Sequence, residues 1–144
     1  MGGRWAVAAC YLDLASSSSM RLAEILSLRR DHIRDGVARF FGKGRKERVV
    51  PIHPDILPHL PAEGPLFPYN RRSIERWVSA LGRSCGVRLW PHLGRHAFVW
   101  QCVRKNINLL DVAVITGHTS LATLQGYYNA DANRIKSVAS KIWA

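Results

Sequence analysis

Pro91-His92-Leu93-Gly94-Arg95-His96-Ala97-Phe98 opens a helix and puts a histidine and an arginine on one side of it. Proline suits a helical first turn, where its missing N–H leaves no hydrogen bond unmade. The helical pattern runs on to about Arg104, with Leu93, Ala97, Trp100 and Val103 as its apolar positions. His92 and Arg95 lie three apart and so share a face.

Downstream, Leu109 to Thr116 reads as a further apolar helix stopped by Gly117, with His118 directly after the stop. A short helix is expected from Ser120, with Tyr127 nine residues beyond His118. The last begins near Ala132 and carries Ile135, Val138, Ala139 and Ile142 on one stripe. Upstream, Ser73 is the expected N-cap of a helix with Ile74, Trp77, Val78 and Leu81 on its face, ended by Gly86. The proline-rich stretch from Pro51 to Pro68 is mostly connector. Val37 to Phe41 and Arg48 to Ile52 are β-branched and aromatic. They flank Gly42-Lys43-Gly44-Arg45-Lys46-Glu47, which makes a two-stranded ribbon with a basic tip. Before it come a short helix from about Met20 to Leu28, with Leu22, Ile25 and Leu26 on one face, and a buried helix from Arg4 to Ala15. Ser16 to Ser19 is expected to break that first helix. The chain is therefore mainly α with a small β-hairpin or sheet, in a single domain over residues 1–144.

At 144 residues and 47% apolar content the chain has room for one real core. Its longest apolar run, Trp5 to Leu12, falls well short of the ~20 residues of a membrane span. It also lacks a secretory cleavage pattern, so the expected address is the cytoplasm, in association with the nucleoid. Lys and Arg number 21 against 10 Asp and Glu, a formal charge of +11. So large an excess, spread along the chain rather than gathered in a tail, suggests a polyanionic partner bound on a folded face. Cys10, Cys85 and Cys102 are odd in number and widely spaced, which reads as buried free thiols.

Arg21, Lys43, His92, Arg95, His118 and Tyr127 each have an unremarkable reading when taken alone: a helix-end cation, a turn lysine, a capping histidine, a core tyrosine. Their order and surroundings add information. Met20-Arg21-Leu22-Ala23-Glu24-Ile25-Leu26 is followed by Gly42-Lys43-Gly44-Arg45-Lys46-Glu47-Arg48. The Pro91 block comes next, then Thr116-Gly117-His118-Thr119-Ser120-Leu121-Ala122-Thr123, ending at Tyr127. From about Arg4 onward the chain resembles the catalytic domain of the tyrosine recombinases, the phage-integrase and Xer-like family, whose Arg, Lys, His-x-x-Arg, Gly-His and Tyr motifs occur in this order.

The resemblance implies the DNA breaking–rejoining catalytic-domain fold and site-specific strand cleavage through a 3′-phosphotyrosyl bond. Tyr127 would be the nucleophile, and its spacing from His118 favours it over Tyr128. The chemistry is coherent: a phosphotyrosyl ester conserves bond energy, so rejoining needs no ATP, metal or other cofactor. Two guanidiniums, Arg21 and Arg95, suit the charge of the phosphorane-like transition state. Lys43 on the hairpin would protonate the leaving 5′ oxygen, with Lys46 its local competitor. His92 and His118 would bond the phosphate, His92 also accepting the Tyr127 proton, and Glu24 would orient the site. Arg45, Lys46 and Arg48 are expected DNA contacts.

Rival readings are a non-catalytic DNA-binding module of recombinase ancestry and a type IB topoisomerase-like enzyme. A metal site is disfavoured: His92 and His96 are four apart but have no Glu between them in the metalloprotease pattern. Two departures from the family stand out. Gly94 replaces a bulky apolar residue, with an expected helix cost of about 1 kcal/mol, and Ser19 replaces a glycine-containing approach to Arg21. The family's N-terminal DNA-clamping domain and first catalytic-domain helix are expected to be missing, which leaves two readings: an excised catalytic fragment, or a minimal protein whose clamp a partner supplies. The resemblance also implies a ring of four on DNA, joined by the C-terminal helix, from a chain that is a monomer or weak oligomer when free. Packing of that helix on its own core is the alternative.

Overall fold

The computed structural model describes residues 3–118 and 120–144, so Thr119 of the fourth motif lies outside the described residues. Helix α1 (Arg4–Ser18) is the element around which the others gather. Its buried face, Val7, Ala8, Tyr11, Leu14, Ala15 and Ser18, follows helical periodicity. It packs most extensively against α4 (Leu93–Arg104) and α3 (Arg71–Ser84). Contrary to expectation, Ser16 to Ser18 stay helical. Ser17 Oγ and Ser18 Oγ each donate back at 2.6 Å, to the Asp13 and Leu14 carbonyls, so these hydroxyls need no other partner. The break comes one residue later, at Ser19, in the left-handed region at φ 67°.

Helix α2 (Leu22–Ser27) follows, then a three-stranded antiparallel sheet in the order β1 (Ile33–Arg34), β2 (Val37–Phe41), β3 (Glu47–Pro51). The two-residue β1 was not anticipated. It pairs with β2 through Asp35-Gly36, both at positive φ (52° and 78°), the backbone of a tight type I′ hairpin. In β3, Arg48 and Val50 face inward while Glu47 and Pro51 face out. The proline-rich segment is a connector with one 3₁₀ turn at Leu57–His59. Helix α3 is capped by Asn70 rather than Ser73: the Asn70 side-chain oxygen accepts from the Ser73 amide at 2.8 Å.

Helices α5 (Leu109–Thr116), α6 (Leu121–Asn129) and α7 (Ala132–Trp143) complete the chain, with Gly117 at φ 73° ending α5. Side chains fall into two cores. One joins α1, α2, the sheet, the connector and α3 around Tyr11, Leu14, Ile25, Val50, Phe67 and Ile74. The smaller joins α4, α5 and α6 through Phe98, Val99, Cys102, Val103, Val112, Leu124 and Tyr128. Each such side chain contributes roughly 1.5–3 kcal/mol when fully buried. Ile115 packs on both cores. The buried face of α4 is therefore Phe98, Val99, Cys102 and Val103, and the expected core residue Trp100 is exposed.

Cys102 is buried, Cys10 half-buried and Cys85 exposed, so the expectation of three buried thiols fails at Cys85; all three are free. On α7 the stripe is unburied: Ile135 is 58%, Val138 38%, Ile142 74% and Trp143 83% exposed. Packing of this stripe on its own core is thus ruled out in this conformation. Among the described residues no helix is long and apolar enough to cross a membrane, and no group of three or more His, Cys, Asp or Glu is arranged to hold a metal ion.

Candidate active site

The site lies where α1 ends, α2 begins, α4 begins and α5 ends. Arg95 is its centre. Only 4% exposed, its guanidinium donates from Nη1 to the Ser19 carbonyl and from Nη2 to the Thr116 carbonyl, both at 2.8 Å. The strained turn at Ser19 and the end of α5 therefore aim this side chain. Gly94 lets it reach them. A Cβ there would stand 2.6 Å from Ala15 Cβ and 3.1 Å from the Ser16 amide nitrogen, so only glycine permits α4 to approach α1 this closely. What the sequence presents as lost packing is the condition for the tightest helix contact at the site.

Beside Arg95 is a buried ion pair. Glu24 Oε1 accepts from the Arg21 amide at 2.8 Å, in a capping box at the start of α2, and from Arg48 Nη1. Arg48 is 5% exposed and also donates from Nη2 to the Ile115 carbonyl, with Ser19 Oγ at 3.4 Å. The expectation that Arg48 contacts DNA is corrected: it is an interior cation that ties β3 to α2 and α5. Glu24, 6% exposed, lies between Arg21 and Arg48. Its Oε2 has no hydrogen-bond partner among the described residues, and Arg21 Nη1 stands 3.9 Å from it. Arg21 itself is 33% exposed.

Gly42, at the base of the hairpin turn, covers this pair so closely that a Cβ would come within 2.7 Å of Glu24 Oε2. The turn's cations remain outside. Lys43, Arg45 and Lys46 are all exposed, and among the described residues Lys43 has no hydrogen-bond or ion-pair partner. The structure thus anchors the hairpin on the site but does not bring the Lys43 side chain into it.

The histidines respond to the crowding of cations. His118, hydrogen-bonded through Nδ1 to Thr116 Oγ1 at 2.6 Å, is pushed down to about 4, first by burial and then by Arg95, Arg21 and Arg48. His92, just ahead of α4, is lowered by burial and by His96, Arg95 and Arg21. Arg95 is lowered to about 10 by burial, Arg21 and Arg48, partly offset by Glu24 and Tyr127. Arg21, His92, His118 and Tyr127 therefore all lie within electrostatic reach of Arg95, a neighbourhood in which cations outnumber the one carboxylate, Glu24.

Tyr127, on α6, enters this neighbourhood half-buried. Burial raises its pKa and Arg95 opposes the rise. Its hydroxyl hydrogen-bonds His96 Nδ1, and its ring meets Trp100 edge-on at 5.2 Å between centroids. The sequence led to His92 as its proton acceptor; the observed contact is His96, whose ring stands T-shaped to His92 at 4.9 Å. The missed signal was the i, i+4, i+8 series His92, His96, Trp100. Tyr128 is buried instead, its hydroxyl donating to the Ile107 carbonyl, which leaves Tyr127 as the tyrosine at the site.

A recombinase titled XerH, crystallised after cleavage of a palindromic difH substrate, superposes with a TM-score of 0.77 at 22% identity, over 99% of this chain and 47% of its own. The catalytic domain of bacteriophage HP1 integrase superposes with a TM-score of 0.74 at 20% identity, over 95% of this chain and 88% of its own. No protein-family model matches the sequence. Tyrosine recombinase XerC of Nitrobacter winogradskyi is 30% identical, over 93% of this chain and 49% of its own length. Tyrosine recombinase XerD of Haemophilus ducreyi is 30% identical, over 88% and 51%. The chain is a relative of the tyrosine recombinases and has their catalytic-domain fold; it spans about half the length of the curated relatives it matches.

Proposed function

We propose that the chain cuts and rejoins double-stranded DNA at a specific site through a covalent bond between Tyr127 and the 3′ phosphate. The observation that carries this is the seating of the Tyr127 hydroxyl on His96, the residue next to the buried Arg95, close enough that Tyr127 and Arg95 shift each other's titration. A guanidinium has five donors. Arg95 spends two on Ser19 and Thr116, and the rest remain for phosphate oxygens. Because the protein has already fixed its orientation, no reorganisation is needed as charge develops on the phosphorus.

Arg21, partly exposed beside Glu24, is the second clamp. His118 and His92, held below their ordinary range, are neutral near pH 7 in the free protein, and a bound phosphate would draw them towards the imidazolium form. Lys43 is the acid for the 5′ oxygen. It starts outside the site, so its role requires the exposed turn to close over the DNA. Arg45 and Lys46, exposed beside it, contact the backbone.

Assembly belongs to the same proposal. The bare α7 stripe docks on a neighbouring copy, building a tetramer on DNA, and a further segment or partner supplies the clamp on the opposite side of the duplex. Such a protein would work in the cytoplasm on nucleoid DNA. The test is covalent capture from a pool of duplexes with a central nick and randomised flanks. A band that survives denaturation and is lost in Tyr127→Phe is expected. Binding without any covalent band would instead favour the non-catalytic DNA-binding reading, and unassisted relaxation of supercoils without site preference the topoisomerase reading.

A further inference from the structure

Helix α4 holds Tyr127 at two points. His96 Nδ1 hydrogen-bonds the hydroxyl, and the Trp100 ring meets the phenol edge-on at an interplanar angle of 73°. His96 and Trp100 are one turn apart, so a single face of α4 presents both. His92, one turn earlier, meets the His96 ring edge-on at 89°. The row is therefore His92, His96, Tyr127, Trp100, with His96 in contact with the reacting oxygen.

A phenol titrates near 10 in water, so Tyr127 carries its proton at neutral pH and must lose it to become a nucleophile. An imidazole beside it is the natural acceptor. We propose that His96 is the base that takes the Tyr127 proton, with Trp100 holding the phenol ring in reach of it; this rests on the covalent cleavage proposed above. The Tyr127 oxygen forms its bond to phosphorus as its proton passes to His96 Nδ1. The bond from phosphorus to the 5′ oxygen breaks, and that oxygen takes a proton from Lys43. Rejoining runs the same transfers backwards, His96 returning the proton as Tyr127 leaves. His92 is thereby freed to bond the phosphate.

The base must accept through Nδ1, so its own proton sits on Nε2. Nitrogen-15 NMR of the free chain tests this without DNA. An Nε2–H tautomer for His96, with an Nδ1 resonance that moves in Tyr127→Phe, is expected; an Nδ1–H tautomer overturns the proposal. Single-turnover cleavage of a captured duplex tests the chemistry. His96→Ala and His96→Gln should slow adduct formation about 100-fold or more, and added imidazole should partly restore His96→Ala. Replacing the 5′ oxygen by sulfur, which leaves without a proton, should rescue Lys43→Ala and not His96→Ala. A His96→Ala as fast as the unmodified chain, or one rescued by sulfur, refutes His96 as base while Tyr127 cleavage stands. Failure of the unmodified chain to form any Tyr127 adduct removes both.

Discussion

Substituting alanine for Gly94 sets two opposed magnitudes against each other. In a helix, Gly→Ala is worth up to about 1 kcal/mol of added stability from propensity alone. Against it stands the new methyl, 2.6 Å from Ala15 Cβ, 3.1 Å from Ser16 N and 3.2 Å from the Ala15 carbonyl carbon. Carbon atoms prefer about 3.5–4.0 Å, so α4 must retreat from α1 by roughly 1 Å. Two of the three near atoms are backbone and cannot swing aside. Overpacking of this kind costs typically 1–3 kcal/mol, and we expect it to win, leaving a net loss of up to about 2 kcal/mol in urea unfolding followed by circular dichroism. Arg95 is the next residue, and a 1 Å displacement at a reacting centre can cost about 100-fold in rate. Adduct formation should fall accordingly. The Ala15→Gly partner should show positive coupling in a double-mutant cycle, since it removes one of the clashing atoms. A Gly94→Ala chain that gains the full propensity increment and keeps its cleavage rate would refute the close-approach argument.

Three further outcomes follow from the same site. Arg48→Met leaves the Glu24 carboxylate buried without its cation and should cost about 3–5 kcal/mol, whereas Lys46→Ala should leave the urea midpoint unchanged and lower the salt slope of DNA binding by about 1. His118 sits at about 4 in the fold against about 6.5 when unfolded. The unfolded chain therefore binds a proton the fold refuses, so its contribution is complete above pH 6.5 and is lost as pH falls towards 4. Urea midpoints across that range should flatten in His118→Gln. A chain ending at Asp131 should remain at a lower association state on captured DNA than the full chain in light scattering; equal states would remove trans docking through α7.

Much of the fold was legible because its signals are local. Gly117 ends α5 where a left-handed residue is needed, and Asp131 and Ser120 cap helices that begin one residue later. The candidate site was legible as a set of residue types in order. Its interior was not, because burial is decided between elements. Arg48 is one of several cations around a basic turn; it shares its parity with Lys46, and what separates them is that β3 begins at Glu47, so Arg48 lies inside the strand with Val50 on the inner face while Lys46 stays in the turn. Asp35-Gly36 was a readable hairpin signal that went unused. The meaning of Gly94 depends on Ala15, far away in sequence, and no propensity scale contains that contact. His96 and Trp100 looked like packing residues until α6 delivered Tyr127 between them.

Ser19 holds a left-handed backbone that side chains other than glycine rarely adopt. Its carbonyl is one of two anchors for Arg95, and Thr116, nearly a hundred residues on, supplies the other. Neither anchor exists until α1 has terminated correctly and α5 has been seated. A chain that has frayed or only half assembled keeps its positive charge, yet its key guanidinium points nowhere in particular. Under the cleavage proposed above, the wiring acts as a safety catch, withholding a positioned Arg95 from any copy that is not completely folded.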